Sequence, residues 1–76
     1  MKVYEHNNPV DDFPTPGEIE NHLEEYTADE FIEWLLKRKG EATRDYFVDR
    51  WGVSPSTFES AVDTLEENEI VTVKQY

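Results

Sequence analysis

Cysteine is absent from this sequence of 76 residues, so neither a disulfide framework nor a site of thiolate metal ligands can form. No run of about 18 apolar residues occurs, and we therefore expect no membrane-spanning helix. The first residues lack the apolar segment of a secretory signal, which predicts a cytoplasmic protein. A chain of this length is expected to form a single domain with a small core, to which two Trp, four Tyr and four Phe residues bring large apolar surfaces.

Positive charge is also scarce, because 18 acidic residues face only seven basic ones and the net charge is −11. Three interpretations compete: a disordered chain, an acidic face that binds a partner by imitating nucleic acid, and adaptation to a salt-rich cytoplasm. The helix caps and apolar periodicity described below argue against disorder. Few Lys residues beside abundant Asp, Glu, Thr and Val favour a halophilic archaeon or one of its viruses. At molar salt the Debye length is only about 3 Å, so repulsion between acids and phosphates is largely screened.

Signals for catalysis or metal binding are missing. His6 and His22 are the only imidazoles, and His22 with Glu18 one helical turn earlier offers just two metal ligands. The chain has no Gly-rich phosphate loop and no nucleophile with an evident base, and paired carboxylates are background in so acidic a sequence. We predict that the protein is not an enzyme and needs neither metal nor cofactor.

Residues 1–14 are predicted to form an N-terminal strand and an irregular connection that precede the main part of the domain, residues 15–76. The strand is expected around Val3 and Tyr4, and Asn7-Asn8-Pro9 ends it because Asn and Pro favour turns. Val10 and Phe13 are predicted to anchor the connection to the core.

Two capping boxes follow, Thr15-Pro16-Gly17-Glu18 and Thr27-Ala28-Asp29-Glu30, and each predicts the start of a helix. Ile19, Leu23 and Tyr26 form one apolar stripe on the first helix, which packs on the core or meets a second subunit. The second helix is expected to run to about Lys39 and to stop at Gly40. Its last turn carries Lys37, Arg38 and Lys39, where cations favour the negative end of the helix dipole.

Residues 43–73 read as a short helix, a tight turn, a longer helix and a strand. Gly52 suits the left-handed end of the first helix, Ser54 suits the cap of the next, and Pro55 suits its first position. Asn68 is predicted to close the longer helix in a left-handed conformation. The buried positions are expected to be Phe47, Val48, Trp51 and Val53, then Phe58, Ala61, Val62 and Leu65, then Ile70 and Val71.

This pattern of caps and apolar positions resembles the winged helix-turn-helix domains of transcription regulators, over about residues 28–73. The resemblance implies a mainly α, α+β fold with about four helices and a small antiparallel sheet. The family places two strands after its last helix, whereas here only residues 70–73 suit a strand. The missing partner is either the N-terminal strand or the same strand of another copy of the chain, and both alternatives stay open.

The resemblance also implies which residues would contact duplex DNA. The last helix of the motif lies in the major groove in this family, and its exposed positions usually carry Arg or Lys. Here the corresponding candidates are uncharged or acidic: Ser54, Ser56, Thr57, Glu59, Ser60 and Thr64. Most basic residues lie just before that helix, and they are candidates for phosphate contacts: Lys37, Arg38, Lys39, Arg44 and Arg50. The alternative is a solvated basic cluster that pairs with Glu41, Asp45 and Asp49.

We therefore expect a sequence-specific, DNA-binding transcription regulator of a halophilic archaeon or its virus, acting as a dimer. The alternative is a winged-helix module that binds a protein partner through its acidic surface and does not bind DNA.

Overall fold

The computed structural model describes residues 1–76, which form an α+β domain of four helical segments and one three-stranded antiparallel sheet. The elements in chain order are β1 (Lys2–His6), α1 (Pro16–Glu25), α2 (Ala28–Lys39), β2 (Glu41–Ala42), a π-helical segment (Tyr46–Arg50), α3 (Pro55–Glu67) and β3 (Val71–Gln75). The predicted fold class is confirmed, and the arrangement is consistent with a winged-helix-like fold. No helix combines the length and the apolar character that crossing a membrane requires.

The two capping boxes begin the first two helices as predicted. The Thr15 hydroxyl accepts a hydrogen bond from the Glu18 backbone N–H at 3.3 Å, and Thr27 accepts from Glu30 at the same distance. These contacts satisfy amides that a helix start otherwise leaves unpaired. Helix α2 ends at Gly40, whose φ of 90° lies in the region that only glycine adopts freely.

The N-terminal strand is the central strand of the sheet, in the order β2-β1-β3. Tyr4 is paired with Ala42 on one side and with Val73 on the other, and both pairings are antiparallel. A side-chain contact reinforces the second pairing, because Lys74 Nζ lies 2.9 Å from Glu5 Oε2. Of the two partners that the sequence left open for the last strand, the structure pairs it with the N-terminal strand of the same chain.

The core lies between the sheet and the helices, and aromatic rings fill its centre. Phe31, Phe47 and Phe58 are completely buried, with the Phe47 ring between the other two at centroid distances of 6.2 and 5.2 Å. Around them lie apolar residues from every helix and from the sheet, including Ile19, Ile32, Leu35, Leu36, Ala61, Val62, Leu65 and Val71. One aromatic cluster thus joins α2, the π-helical segment and α3.

Some local predictions were wrong. Val48, Trp51 and Ile70 are only partly buried. Asn68 closes α3 as predicted, but its φ is −86°, and the left-handed residue is Glu69 with a φ of 61°. The reversal falls there because the amide of Ile70 donates to the carbonyl of Leu65, at 2.9 Å, which turns the chain back toward the core. Val10 and Phe13 do not anchor the connection, since both are exposed and the neighbouring Pro14 is buried instead.

Candidate nucleic-acid interface

The turn before α3 fixes the direction of that helix. Gly52 adopts a φ of 73°, and the next residue, Val53, is buried in the core. The Ser54 hydroxyl then caps α3, accepting from the Thr57 amide at 3.2 Å and donating to the Thr57 hydroxyl at 2.7 Å. The glycine, the cap and Pro55 therefore act as the sequence predicted. Ser54 and Thr57, both candidate DNA contacts, already bond to each other.

Helix α3 has one buried face and one exposed face. Phe58, Ala61, Val62 and Leu65 point into the core, as predicted. The exposed face changes in character along the helix. Its first half carries the short side chains Ser56 and Ser60 with the longer Glu59 between them, and its second half carries Asp63, Thr64, Glu66 and Glu67. The first half is thus dominated by hydroxyl groups and the second half by carboxylates.

The structure brings two of the candidate residues together across the turn. Arg44 Nη1 donates to Glu59 Oε1 at 3.0 Å, and Arg44 Nε lies 4.0 Å from Asp45 Oδ1. Both members of the Arg44–Glu59 pair are about half exposed, so the pair contributes little to stability. Its effect is on charge, because Glu59 already neutralises the cation nearest to α3.

The other candidate cations lie against aromatic rings. Arg38 lies 4.9 Å from the ring centroid of Trp34, Lys39 lies 4.6 Å from that of Tyr46, and Arg50 lies 5.3 Å from that of Trp51. None of these three cations forms the ion pair with Glu41, Asp45 or Asp49 that the alternative interpretation of the basic cluster predicted. Cation–π contacts hold the side chains in place without cancelling their charge. Lys37 is half-buried in the same turn of α2, and its carbonyl accepts from the Val10 amide at 2.9 Å.

The helix that precedes the turn is π-helical from Tyr46 to Arg50, which the sequence did not predict. The Trp51 amide contacts the carbonyls of both Phe47 and Val48, and the Val53 amide donates to Phe47 at 3.1 Å. A π-helix, in which each amide bonds to the carbonyl five residues earlier, is rare in proteins, and many of the known examples lie at functional sites.

A polar cavity beside Arg44 was also missed. It has a volume of about 370 Å³ and opens between β1, the start of the π-helical region and α3. Its wall includes Lys2, Tyr4, Thr43, Arg44, Asp45 and Glu59. Burial, and next the negative charge of Glu59, raise the pKa of the Tyr4 phenol, while Arg44 acts in the opposite direction. The residues come from distant parts of the chain, so no local pattern could reveal the cavity.

No protein-family model matches the sequence, and no curated protein or solved structure matches it.

Proposed function

We propose that the protein is a DNA-binding transcription regulator of a halophilic archaeon or its virus, acting in the cytoplasm with α3 against the duplex. The observation that carries this proposal is the exposed first half of α3, which follows a capped turn and presents Ser56 in its first turn and Ser60 one turn later. The major groove of B-DNA is about 12 Å wide and admits one helix. Short hydroxyl side chains let the helix backbone come close to the bases and phosphates, to which hydroxyl groups can hydrogen-bond.

The scarcity of cations on α3 fits a salt-rich setting. Lys and Arg strengthen DNA binding largely through the release of counterions, and high salt removes most of that gain. Hydrogen bonds, shape and excluded water then carry more of the affinity. Arg38, Lys39 and Arg50 keep their charge against aromatic rings, and we expect them to contribute a smaller, salt-sensitive part by contacting phosphates.

A second function, binding of a protein partner, is favoured by the other half of the same helix. Asp63, Glu66 and Glu67 are exposed there, Glu59 precedes them on the same exposed face, and α3 contains no basic residue. Such a row of carboxylates repels phosphates and attracts a basic protein surface. In this alternative the acidic row, and not the hydroxyl groups, is the binding surface.

A DNA-binding assay run from dilute to molar salt distinguishes the two functions. We expect a discrete complex with fragments of the source genome that persists at molar salt. The double variant Ser56→Glu with Ser60→Glu should abolish the complex, because it places two carboxylates against the groove. The matched control is Asn8→Glu with Asn21→Glu, which adds the same charge at exposed positions outside α3.

The control double variant should bind DNA nearly as well as the unchanged protein. Equal loss in both double variants would mean that net charge, and not the face of α3, determines binding. Absence of any complex at every salt concentration would exclude the DNA-binding function and leave the protein-partner alternative.

We also expect a homodimer, because two-fold symmetric regulators bind paired half-sites. Analytical ultracentrifugation at molar salt tests this directly: a monomeric mass with and without bound DNA would contradict it.

A further inference from the structure

The cavity beside Arg44 is lined in part by Tyr4, a residue that is almost entirely buried. Tyr4 is only 5 % exposed, and its ring packs edge to face on Phe58. Its hydroxyl takes no part in the hydrogen bonds within the protein, although Tyr hydroxyls usually find a partner when buried. The fully enclosed polar atoms without partners are His6 Nε2 and Trp51 Nε1, so the Tyr4 hydroxyl is open to the cavity.

Two cations lie on the wall of the same cavity. Lys2 forms no ion pair, and Arg44 uses Nη1 for Glu59 and leaves most of its five N–H donors free. Two carboxylates, Asp45 and Glu59, also line the cavity. They balance the two cations, so the net charge of the cavity wall does not by itself attract an anion. What the cavity wall offers is three kinds of hydrogen-bond donor: a phenol, an ammonium and a guanidinium.

We propose that this cavity binds a phosphate group through the Tyr4 hydroxyl, Lys2 and the Arg44 guanidinium. Phosphate oxygens accept several hydrogen bonds at once, and a guanidinium matches their geometry. The physiological source would be a backbone phosphate of duplex DNA, and this assignment of the source rests on the proposed function. A phosphorylated small molecule offers the same chemistry, and competition with duplex DNA distinguishes the two sources.

Glu59 is an internal competitor for this site. Its carboxylate occupies Arg44 in the free protein, at 3.0 Å, and a phosphate that contacts Arg44 displaces it. Because Glu59 lies on the exposed face of α3, its release also frees an acceptor on the helix that we place in the groove. Binding of a phosphate in the cavity is thereby coupled, through one ion pair, to the availability of the Glu59 carboxylate on the surface of α3.

The test is a titration of the full chain with inorganic phosphate at constant ionic strength, followed by the backbone amide signals of residues 43–45 in NMR spectra. Tyr4→Phe keeps the ring on Phe58 and removes only the hydroxyl, and we expect it to weaken phosphate binding about tenfold. Tyr26→Phe removes an exposed hydroxyl elsewhere and should leave binding unchanged. Glu59→Gln should strengthen binding about two- to fivefold, because it releases Arg44.

The outcomes separate this site from the proposed function. Phosphate binding that Tyr4→Phe weakens supports the site, and a duplex that displaces the phosphate identifies the DNA backbone as its source. If phosphate binds in this way but no duplex does, the site is supported with a small phosphorylated ligand, and the DNA-binding function fails. Unchanged amide signals in phosphate, or equal affinity in Tyr4→Phe, overturn the site even where duplex DNA binds.

Discussion

The rings of Tyr4 and Phe58 meet edge to face with their centroids 5.0 Å apart, so the central strand of the sheet is attached directly to α3. Phe58 also packs against Phe47 of the helix before the turn. The helix that we place against DNA is therefore oriented from two sides, by the N-terminal strand and by the preceding helix. The stability of the core and the direction of α3 depend on the same side chain.

Phe58→Ala should lower the free energy of unfolding by about 3–5 kcal/mol, because it leaves a cavity between two aromatic rings. Leu23→Ala on α1 should cost less than about 1 kcal/mol, since Leu23 is 36 % exposed. Urea denaturation at fixed molar salt measures both values. If Phe58→Ala does not fold, Phe58→Leu should still fold and lose about 1–3 kcal/mol, and a loss no larger than that of Leu23→Ala would contradict the packing.

Removal of β1 should prevent cooperative folding, because it leaves β2 and β3 without their shared partner. The milder variant Glu5→Pro should lower the melting temperature strongly, since proline cannot donate in a central strand. Asp11→Pro in the exposed connection is the control and should have little effect. Circular dichroism on heating measures each variant, and an unchanged melting temperature after deletion of residues 1–5 would refute the central position of β1.

The glycines allow a matched comparison. Gly52 has a φ of 73°, so Gly52→Ala should destabilise the protein by about 1–2 kcal/mol through backbone strain. Gly17 lies within α1 with nothing near the position of an added Cβ, so Gly17→Ala should stabilise by up to about 1 kcal/mol. The two variants have the same chemical change, and chemical denaturation should therefore give opposite signs. Equal signs would place the turn at Gly52 in doubt.

The folded protein should lose stability in alkaline solution because the buried Tyr4 phenol resists ionisation. Burial raises the pKa of Tyr4 in the folded chain above its ordinary value of about 10. At a pH between the two pKa values, Tyr4 therefore keeps its proton in the folded chain and has lost it in the unfolded chain. The contribution is complete below pH 10 and decreases as pH rises through the folded pKa. Lys74, whose pKa is raised by its hydrogen bond to Glu5, acts in the same direction.

Spectrophotometric titration of tyrosinate should therefore show one of the four tyrosines ionising after the others. Tyr4→Phe should remove that late step and reduce the alkaline loss of stability, whereas Lys74→Gln should leave the late step in place. Persistence of the late step in Tyr4→Phe would mean that another tyrosine is responsible.

Local chemistry made the helices predictable. The capping boxes at Thr15 and Thr27, the glycines at 40 and 52, and the Ser54-Pro55 start act within a few residues, so the sequence contains their full cause. The left-handed residue after α3 was placed one position early. The hydrogen bond from the Ile70 amide to the Leu65 carbonyl places the left-handed residue at Glu69. The tolerance of Asn68 for a left-handed conformation was therefore a poor guide to its position.

The site could be predicted only in part, because its decisive contacts join distant residues. The face of α3 followed from helical periodicity, and Arg44 was recognised as a candidate from its place in the motif. The pairing of Arg44 with Glu59, and the approach of Tyr4 to both, depend on how β1 crosses the domain. The packing of Phe47, from the π-helical segment, between Phe31 and Phe58 likewise joins separate parts of the chain.

The central position of β1 has a consequence for how fast the chain folds. Its partners in β3 are 65 to 73 residues away, from His6 with Val71 to Lys2 with Gln75. Closing so long a loop costs conformational entropy before any contact compensates for it, and such distant pairing slows folding relative to helical proteins of similar size. During synthesis the first strand must wait for the last, so the helices can form early while the sheet closes only when β3 has been made.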